Sequence, residues 1–271
     1  MFRRAARIGL NWSSPVEHGQ TWPQAIRPVP RSHFSCASVS GLGWDNGWAW
    51  FSERISVTFL RMCNRYSSTK NEVQVTLRHA VLKFMQAVRY NIAPTQRAPV
   101  VLVEGEKAVM RELVWGWSSQ HGPITNARAE TAAFKMFKES LQKRRCLVPA
   151  DGFYEWKTMS DGKQPYRFIR HGGETFWFAG LWQGEQFTIM TAPARGCVAE
   201  FHDRMPIILR PDDLAWWVSD EVLDGIELIA RAGTDEELEC YPVTRRMSNS
   251  RYVAPDCIEK ISIEEKQLGL F

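Results

Sequence analysis

Five short polar islands stand inside apolar or aromatic stretches of this chain. They are Cys63-Asn64-Arg65-Tyr66, Tyr90-Asn91-Ile92-Ala93-Pro94, Asn126-Ala127-Arg128-Ala129-Glu130-Thr131, Asp151-Gly152-Phe153-Tyr154-Glu155-Trp156 and His202-Asp203-Arg204-Met205-Pro206. Between them they hold a thiol, a carboxylate in aromatic company, an imidazole and several arginines. A lone cysteine such as Cys63 is by default a small buried hydrophobe. Glu155 alternates with Phe153 and Lys157, so in a strand the three share a face. Aromatic surroundings desolvate a carboxylate and raise its pKa, which suits proton transfer, whereas a solvated strand face is the ordinary place for a glutamate. His202 is the second acid–base candidate, because histidine titrates near neutrality, although an isolated histidine is more often structural or exposed. The planar fork of Arg204 suits a phosphate oxygen.

The elements that must carry these residues read as mixed. Apolar residues at Leu77, Val81, Phe84, Met85 and Val88 have helical spacing within Thr69–Val88. Strand-like runs follow at Val100–Val103, Arg111–Trp117, Arg145–Val148, Gly152–Lys157, Tyr166–Ile169, Thr175–Leu181, Phe187–Thr191 and Ile207–Leu209. Helices are predicted over Thr131–Lys143 and Pro211–Val218. Many short strands with few helices between them argue an α+β fold whose sheet is mainly antiparallel and barrel-like, rather than a βαβ series. No phosphate-binding glycine loop, H-E-x-x-H or G-x-S-x-G occurs.

Residues 1–61 differ from the rest. They hold five tryptophans, four prolines, no lysine and seven arginines against three acids, while basic and acidic residues balance in the remainder. Any nucleic-acid contact by the main domain must therefore come from a local patch. The plain reading of 1–61 is a poorly ordered extension, with stacking of its aromatic and arginine residues on bases as the functional alternative. The six cysteines are scattered without a C-x-x-C pair or metal-ligand spacing, so no metal is expected, and no secretory signal or apolar run of membrane length is present. Reduced thiols in a cytoplasmic setting follow.

Taken together and in order, the five islands resemble the SRAP family, the SOS-response-associated peptidases understood as abasic-site processing proteins. The resemblance runs from Met62 to about Ser250. It implies an α+β fold with a mainly antiparallel, barrel-like sheet core and a few flanking helices, an SRAP domain over 62–255 and a C-terminal tail over 256–271. The family's signature is a cysteine directly after the initiator methionine; once that methionine is removed, the residue carries an α-amine beside its thiol. Family members use the pair to form a thiazolidine with the ring-opened aldehyde of an abasic sugar in single-stranded DNA. An α-amine, at about 7.7–8.0, is partly neutral near pH 7, as a lysine at about 10.4 is not.

By the same resemblance Cys63 is the nucleophile, Asn126 orients it, Glu155 shuttles protons and His202 acts on the sugar oxygen. Arg65, Arg128 and Arg204 match phosphate contacts, Thr191 a hydroxyl contact to the backbone, and Pro94 a packing contact to bases beside the lesion. The implied partner is single-stranded DNA with abasic sites, at fork-like junctions, with no cofactor and no membrane. The setting is the cytoplasm and nucleoid during DNA damage, or the nucleus in a eukaryotic host. Three departures stand out. Residues 1–61 precede Met62, so the α-amine requires a start at Met62 or proteolytic trimming. The family also usually has Gly where Asn64 stands, and its loop between Trp117 and Asn126 is longer in many members. A cysteine peptidase with Cys63, His202 and Glu155 in its centre is the alternative activity, and weak lyase activity follows from the imine chemistry.

Overall fold

The computed structural model describes residues 64–105, 107–223, 225–231 and 238–263. The expected extension over 1–61, Cys63 itself and the end of the expected tail lie outside the described residues. In chain order the strands are β1 (Tyr66–Ser68), β2 (Glu72–Leu77), β3 (Ala80–Met85), β4 (Arg89–Ile92), β5 (Arg97–Glu104), β6 (Lys107–Trp115) and β7 (Asn126–Arg128). After the helices α1 (Ala129–Ala132) and α2 (Lys138–Lys143) come β8 (Arg145–Ala150), β9 (Gly152–Met159), β10 (Gly162–Arg170), β11 (Phe176–Gln183) and β12 (Gln186–Pro193). The chain continues through β13 (Arg204–Pro206), β14 (Ile208–Leu209), α3 (Leu214–Trp217), α4 (Gly225–Arg231) and β15 (Leu238–Pro242).

The larger sheet runs β13-β12-β6-β5-β8-β11-β14, and an added β12–β11 pairing curls it into a barrel-like ring. A five-stranded sheet, β15-β10-β9-β1-β4, packs beside it. Strand pairing is antiparallel except where β12 meets β6 and β7. The fold is thus the mainly antiparallel α+β architecture expected.

Continuous apolar runs form strands here because they are buried on both faces. Val100 and Leu102 of β5 enter one apolar cluster with Tyr66, Trp115, Phe153 and Phe178, while Val101 between them enters a second with Leu147, Trp177 and Trp217. β8 and β11 alternate likewise, Val148 and Phe178 going to the first cluster, Leu147 and Ala179 to the second. At Gly180 a β-carbon would lie 2.7 Å from the Cys146 sulfur across the β11–β8 pair, so only glycine fits.

The eight predicted strand runs all overlap observed strands, but the helical spacing within the mixed stretch Thr69–Val88 does not mark a helix. That stretch is the β2–β3 hairpin. β2 buries Val73, Val75 and Leu77 and exposes the residues between, a period of two. The apolar residues that gave the helical spacing are not one buried face: Val81 is 62% and Met85 68% exposed. Arg78, with φ at 56°, makes the turn without the usual glycine or asparagine, which hid the hairpin in the sequence. The helix predicted over Thr131–Lys143 is broken into α1, a 3-10 turn at Lys135–Phe137 and α2, with Phe137 turned onto Trp117 at 4.9 Å between ring centroids. The prediction over Pro211–Val218 holds as a 3-10 turn followed by α3.

Asn91, in the second island, proves to be an anchor. Its Nδ2 donates to the carbonyls of Met247 (2.8 Å), Asn249 (3.2 Å) and Tyr252 (2.8 Å), fastening the stretch after β15 against β4. That stretch continues to Pro255–Ile258, where Cys257 is fully buried beside Tyr154, Val243 and Met247. Asn91→Ala should cost about 1–3 kcal/mol, since it strands buried carbonyls. Hydrogen exchange should then rise in 247–252 while the β5–β8 core stays protected; uniform loss of protection would contradict the anchor.

Candidate functional site

The site is assembled where the two sheets meet. β1 pairs with β9 so that Tyr66 faces Phe153, and the Arg65 carbonyl accepts from the Tyr154 N–H at 3.1 Å. One step further in that register sets Asn64 opposite Glu155. The segment that leads into β1 is therefore held against the strand that carries the glutamate. Glu155 is only 4% exposed, which removes the solvated-face alternative. Asn64 is tied to the other sheet as well: the Thr125 hydroxyl donates to its Oδ1 at 3.0 Å, and the Asn126 amide donates to Thr125 Oγ1 at 3.2 Å. Asn126 thus stands one residue from the contact that fixes the chain beside Cys63.

Pro94 reaches the same end. It lies in the turn after β4, half-buried, where the Thr95 N–H donates to the Trp115 carbonyl at 2.8 Å. The Trp115 indole in turn donates to the Thr125 carbonyl at 2.9 Å.

His202 comes from the far side. The preceding Phe201 ring packs edge-on against Tyr166 (4.8 Å) and Phe168 (5.1 Å), with the Lys157 ammonium 5.4 Å above it. Tyr166 is the β10 residue paired with Glu155, and Lys157 shares the Glu155 face, so aromatic packing fastens Phe201, the residue before His202, to the β9–β10 pair. The ring is 9% exposed. Its Nδ1 lies 2.9 Å from the Arg204 main-chain N–H and 2.8 Å from Asp203 Oδ1. One nitrogen cannot accept from the amide and donate to the carboxylate at once. The amide serves the ring when Nδ1 is bare, and Asp203 serves it when Nδ1 is protonated. Either way Nδ1 is committed to the protein, while Nε2 is buried without a hydrogen-bond partner among the described residues.

The arginines divide. Arg128 is exposed at the end of β7, which lies parallel to β12 with Arg128 opposite Thr191. Arg65 is half-buried, its guanidinium donating to the carbonyls of Asn64 and Ser248, both at 3.2 Å. Arg204 is 7% exposed and its fork is already filled. Both terminal nitrogens hold the two carboxylate oxygens of Glu130, and Nη2 also donates to Thr191 at its carbonyl (2.8 Å) and hydroxyl (3.2 Å). Thr191 is fully buried. The structure therefore brings Thr191 and Arg204 to each other, behind the residues that face outward. The Arg204 contact holds the Glu130 carboxyl below its ordinary value of 4.5, so the ion pair is complete above that pH and is lost as pH falls through the depressed value.

Sequence reading missed Glu130 as a partner, although it lay inside an island, as well as Thr125 and the buried Asp151–Arg167 pair (2.8 Å) that underlies the β1–β9 edge. The signal was present as complementary charge, but its partners were 74 and 16 residues away. No group of histidine, cysteine or acidic side chains able to hold a metal occurs among the described residues. No helix among them is long and apolar enough to cross a membrane. Burial pushes the Cys146 thiol up, and burial together with Cys197 pushes Cys240 up to about 11, so neither is a ready thiolate near neutral pH.

The chain is similar to the abasic site processing protein YedK of Escherichia coli, 31% identical over 64% of this chain and 85% of the relative. It is 30% identical to YoqW of Bacillus subtilis over 63% and 85%, and 29% identical to HMCES of Xenopus tropicalis over 66% and 68%, both also named abasic site processing proteins. Among solved structures a phage-related protein of Bordetella bronchiseptica superposes with a TM-score of 0.58 and 27% identity, over 68% of this chain and 95% of that one. The profile of the SOS response associated peptidase family, SRAP, matches residues 62–250. With that match over the segment that builds both sheets and the site between them, the chain belongs to the SRAP family.

Proposed function

We propose that this protein recognises abasic sites in single-stranded DNA and bonds to them through Cys63 once that residue is amino-terminal. What supports this most is that Glu155 is buried on the strand paired with β1, while His202 Nε2 is buried without a hydrogen-bond partner among the described residues. The names of the relatives point the same way.

The chemistry needs three events. The abasic sugar opens to its aldehyde, and His202 Nε2 exchanges a proton with the ring oxygen. The Cys63 α-amine adds to the aldehyde carbon, and the former carbonyl oxygen leaves as water after Glu155 supplies a proton. The thiol then adds across the resulting imine and its proton goes to the nitrogen, closing a five-membered thiazolidine. Holding the thiol on the carbon next to the amine makes the last step effectively unimolecular. Asn126, tied through Thr125 to Asn64, orients the nucleophile. Arg128 and Arg65 meet the phosphates, and Pro94 packs beside the lesion. An abasic nucleotide has no base to unstack, which favours its entry.

The test is a chain whose translation begins at Met62, incubated with a single-stranded oligonucleotide carrying one abasic site. A product that survives denaturing electrophoresis is expected with that strand and not with an intact one. Equal retention of both strands, or no retained product, would reject the reading.

A further inference from the structure

We propose that Glu130 is a positioning residue for His202, acting through Arg204; this rests on the reading of His202 just given. Arg204 has a peculiar economy. It is an almost fully buried arginine whose guanidinium faces a single carboxylate, and that carboxylate belongs to a residue 74 positions away in sequence. A fork-to-fork arginine–carboxylate pair fixes direction as well as distance. Here it fixes the side chain whose own main-chain N–H donates to His202 Nδ1.

The same guanidinium reaches Thr191 at two oxygens, and Thr191 Oγ1 lies 3.5 Å from the Ala127 carbonyl, between Asn126 and Arg128. Thr191 faces Arg128 across the parallel β7–β12 pair and Pro206 across β12–β13. One ion pair thus locks four pieces of chain together: the start of α1, β7, β12 and β13. β7 carries Asn126 and Arg128, and β13 begins two residues after His202. β7 and β13 are only three residues long, too short to hold their own alignment by ladder bonds. Glu130 itself is 37% exposed in its side chain and touches no reacting group, so its effect must pass through Arg204.

Replacing Glu130 with Gln removes the charge and half of the acceptor set while leaving the volume. The buried guanidinium must then turn towards another acceptor, and the Arg204 amide moves with it. The crosslinking rate constant at saturating DNA should fall about tenfold or more, the scale on which small misplacements act. The DNA concentration giving half that rate should change less than threefold, because Arg65 and Arg128 are untouched. Glu130→Asp, which keeps the charge, should recover most of the rate.

The experiment uses the chain begun at Met62, which keeps the three apolar clusters formed among the described residues between Tyr66 and Cys257, with melting temperatures as a fold control. A second readout does not depend on activity. The ring nitrogen resonances of His202 in uniformly labelled protein should move in Glu130→Gln and return in Glu130→Asp. An unchanged saturating rate, or a rise in half-saturating DNA with the rate preserved, would overturn the positioning role. If wild type fails to crosslink, the functional reading fails, and the His202 resonances alone then decide whether Glu130 positions the ring. Should Glu130→Gln not fold, Glu130→Asp must show the same split at smaller amplitude, and its equivalence to wild type in rate and resonances would count against the proposal.

Discussion

Cys63→Ala and Cys63→Ser, each starting at residue 63, should lose the denaturation-resistant DNA adduct by on the order of 10²-fold or more, although both keep the α-amine. The amine alone takes the aldehyde only as far as an imine, which water reverses. Reduction with borohydride should therefore trap DNA on both variants, and on wild type reduction should add little. The two variants separate amine chemistry from ring closure, since serine offers a hydroxyl that is a far poorer nucleophile than a thiolate. If Cys63→Ala gave as much stable adduct as wild type, the thiol would have no part in the bond. If borohydride trapped nothing on either variant, the amine would have none. In the proposed chemistry Glu155 serves the imine-forming half, and it is buried on the strand that pairs with β1.

The second large effect concerns the support beneath that register. Asp151, 1% exposed, receives Arg167, 5% exposed, at 2.8 Å and the Ser67 hydroxyl at 2.7 Å, with the Thr69 N–H on its other oxygen. Gly152 follows because a β-carbon there would sit 2.5 Å from the Arg167 Nε. Arg167 also donates to the Tyr241 hydroxyl on β15, so the pair ties β1, β10 and β15 at one buried point. Asp151→Ala leaves a guanidinium buried without its counter-charge, which typically costs about 3–5 kcal/mol. For a domain of this size the melting temperature should drop on the order of 10 °C. Asp151→Ala with Arg167→Met should recover a good part of that loss, because neither charge is then stranded. A single mutant that melted within a degree or two of wild type would show that the pair does not support this edge.

Much of the fold was legible because its strands are buried on both faces. Runs such as Val100–Val103 and Phe187–Thr191 have no charged residue to place them on a helix surface, and both are rich in β-branched side chains. The β2–β3 hairpin was not, because its turn at Arg78 carries none of the residues that favour positive φ, and the exposed Val81 and Met85 imitated a helical face. β7 and β13 were passed over for their length: three residues give no period to read.

In the site, the order of the islands pointed to Cys63, Asn126, Glu155 and His202 without any structure. Which arginines could reach a ligand was not legible. Arg65, Arg128 and Arg204 have the same chemistry in sequence, and only burial and the distant Glu130 carboxylate set Arg204 apart. The same holds for Asp151, whose partner Arg167 lies across the β9–β10 hairpin, 16 residues on.

The most direct measurement compares two preparations of one polypeptide beginning at Cys63, one with its α-nitrogen unmodified and one with that nitrogen acetylated by semisynthesis, both retaining the thiol. Each is mixed with single-stranded abasic DNA and weighed intact. The unmodified chain should appear at the mass of protein plus DNA less one water, and the acetylated chain at the mass of protein alone. A covalent product of equal yield from the acetylated chain would contradict the aminothiol chemistry on which the proposed function depends.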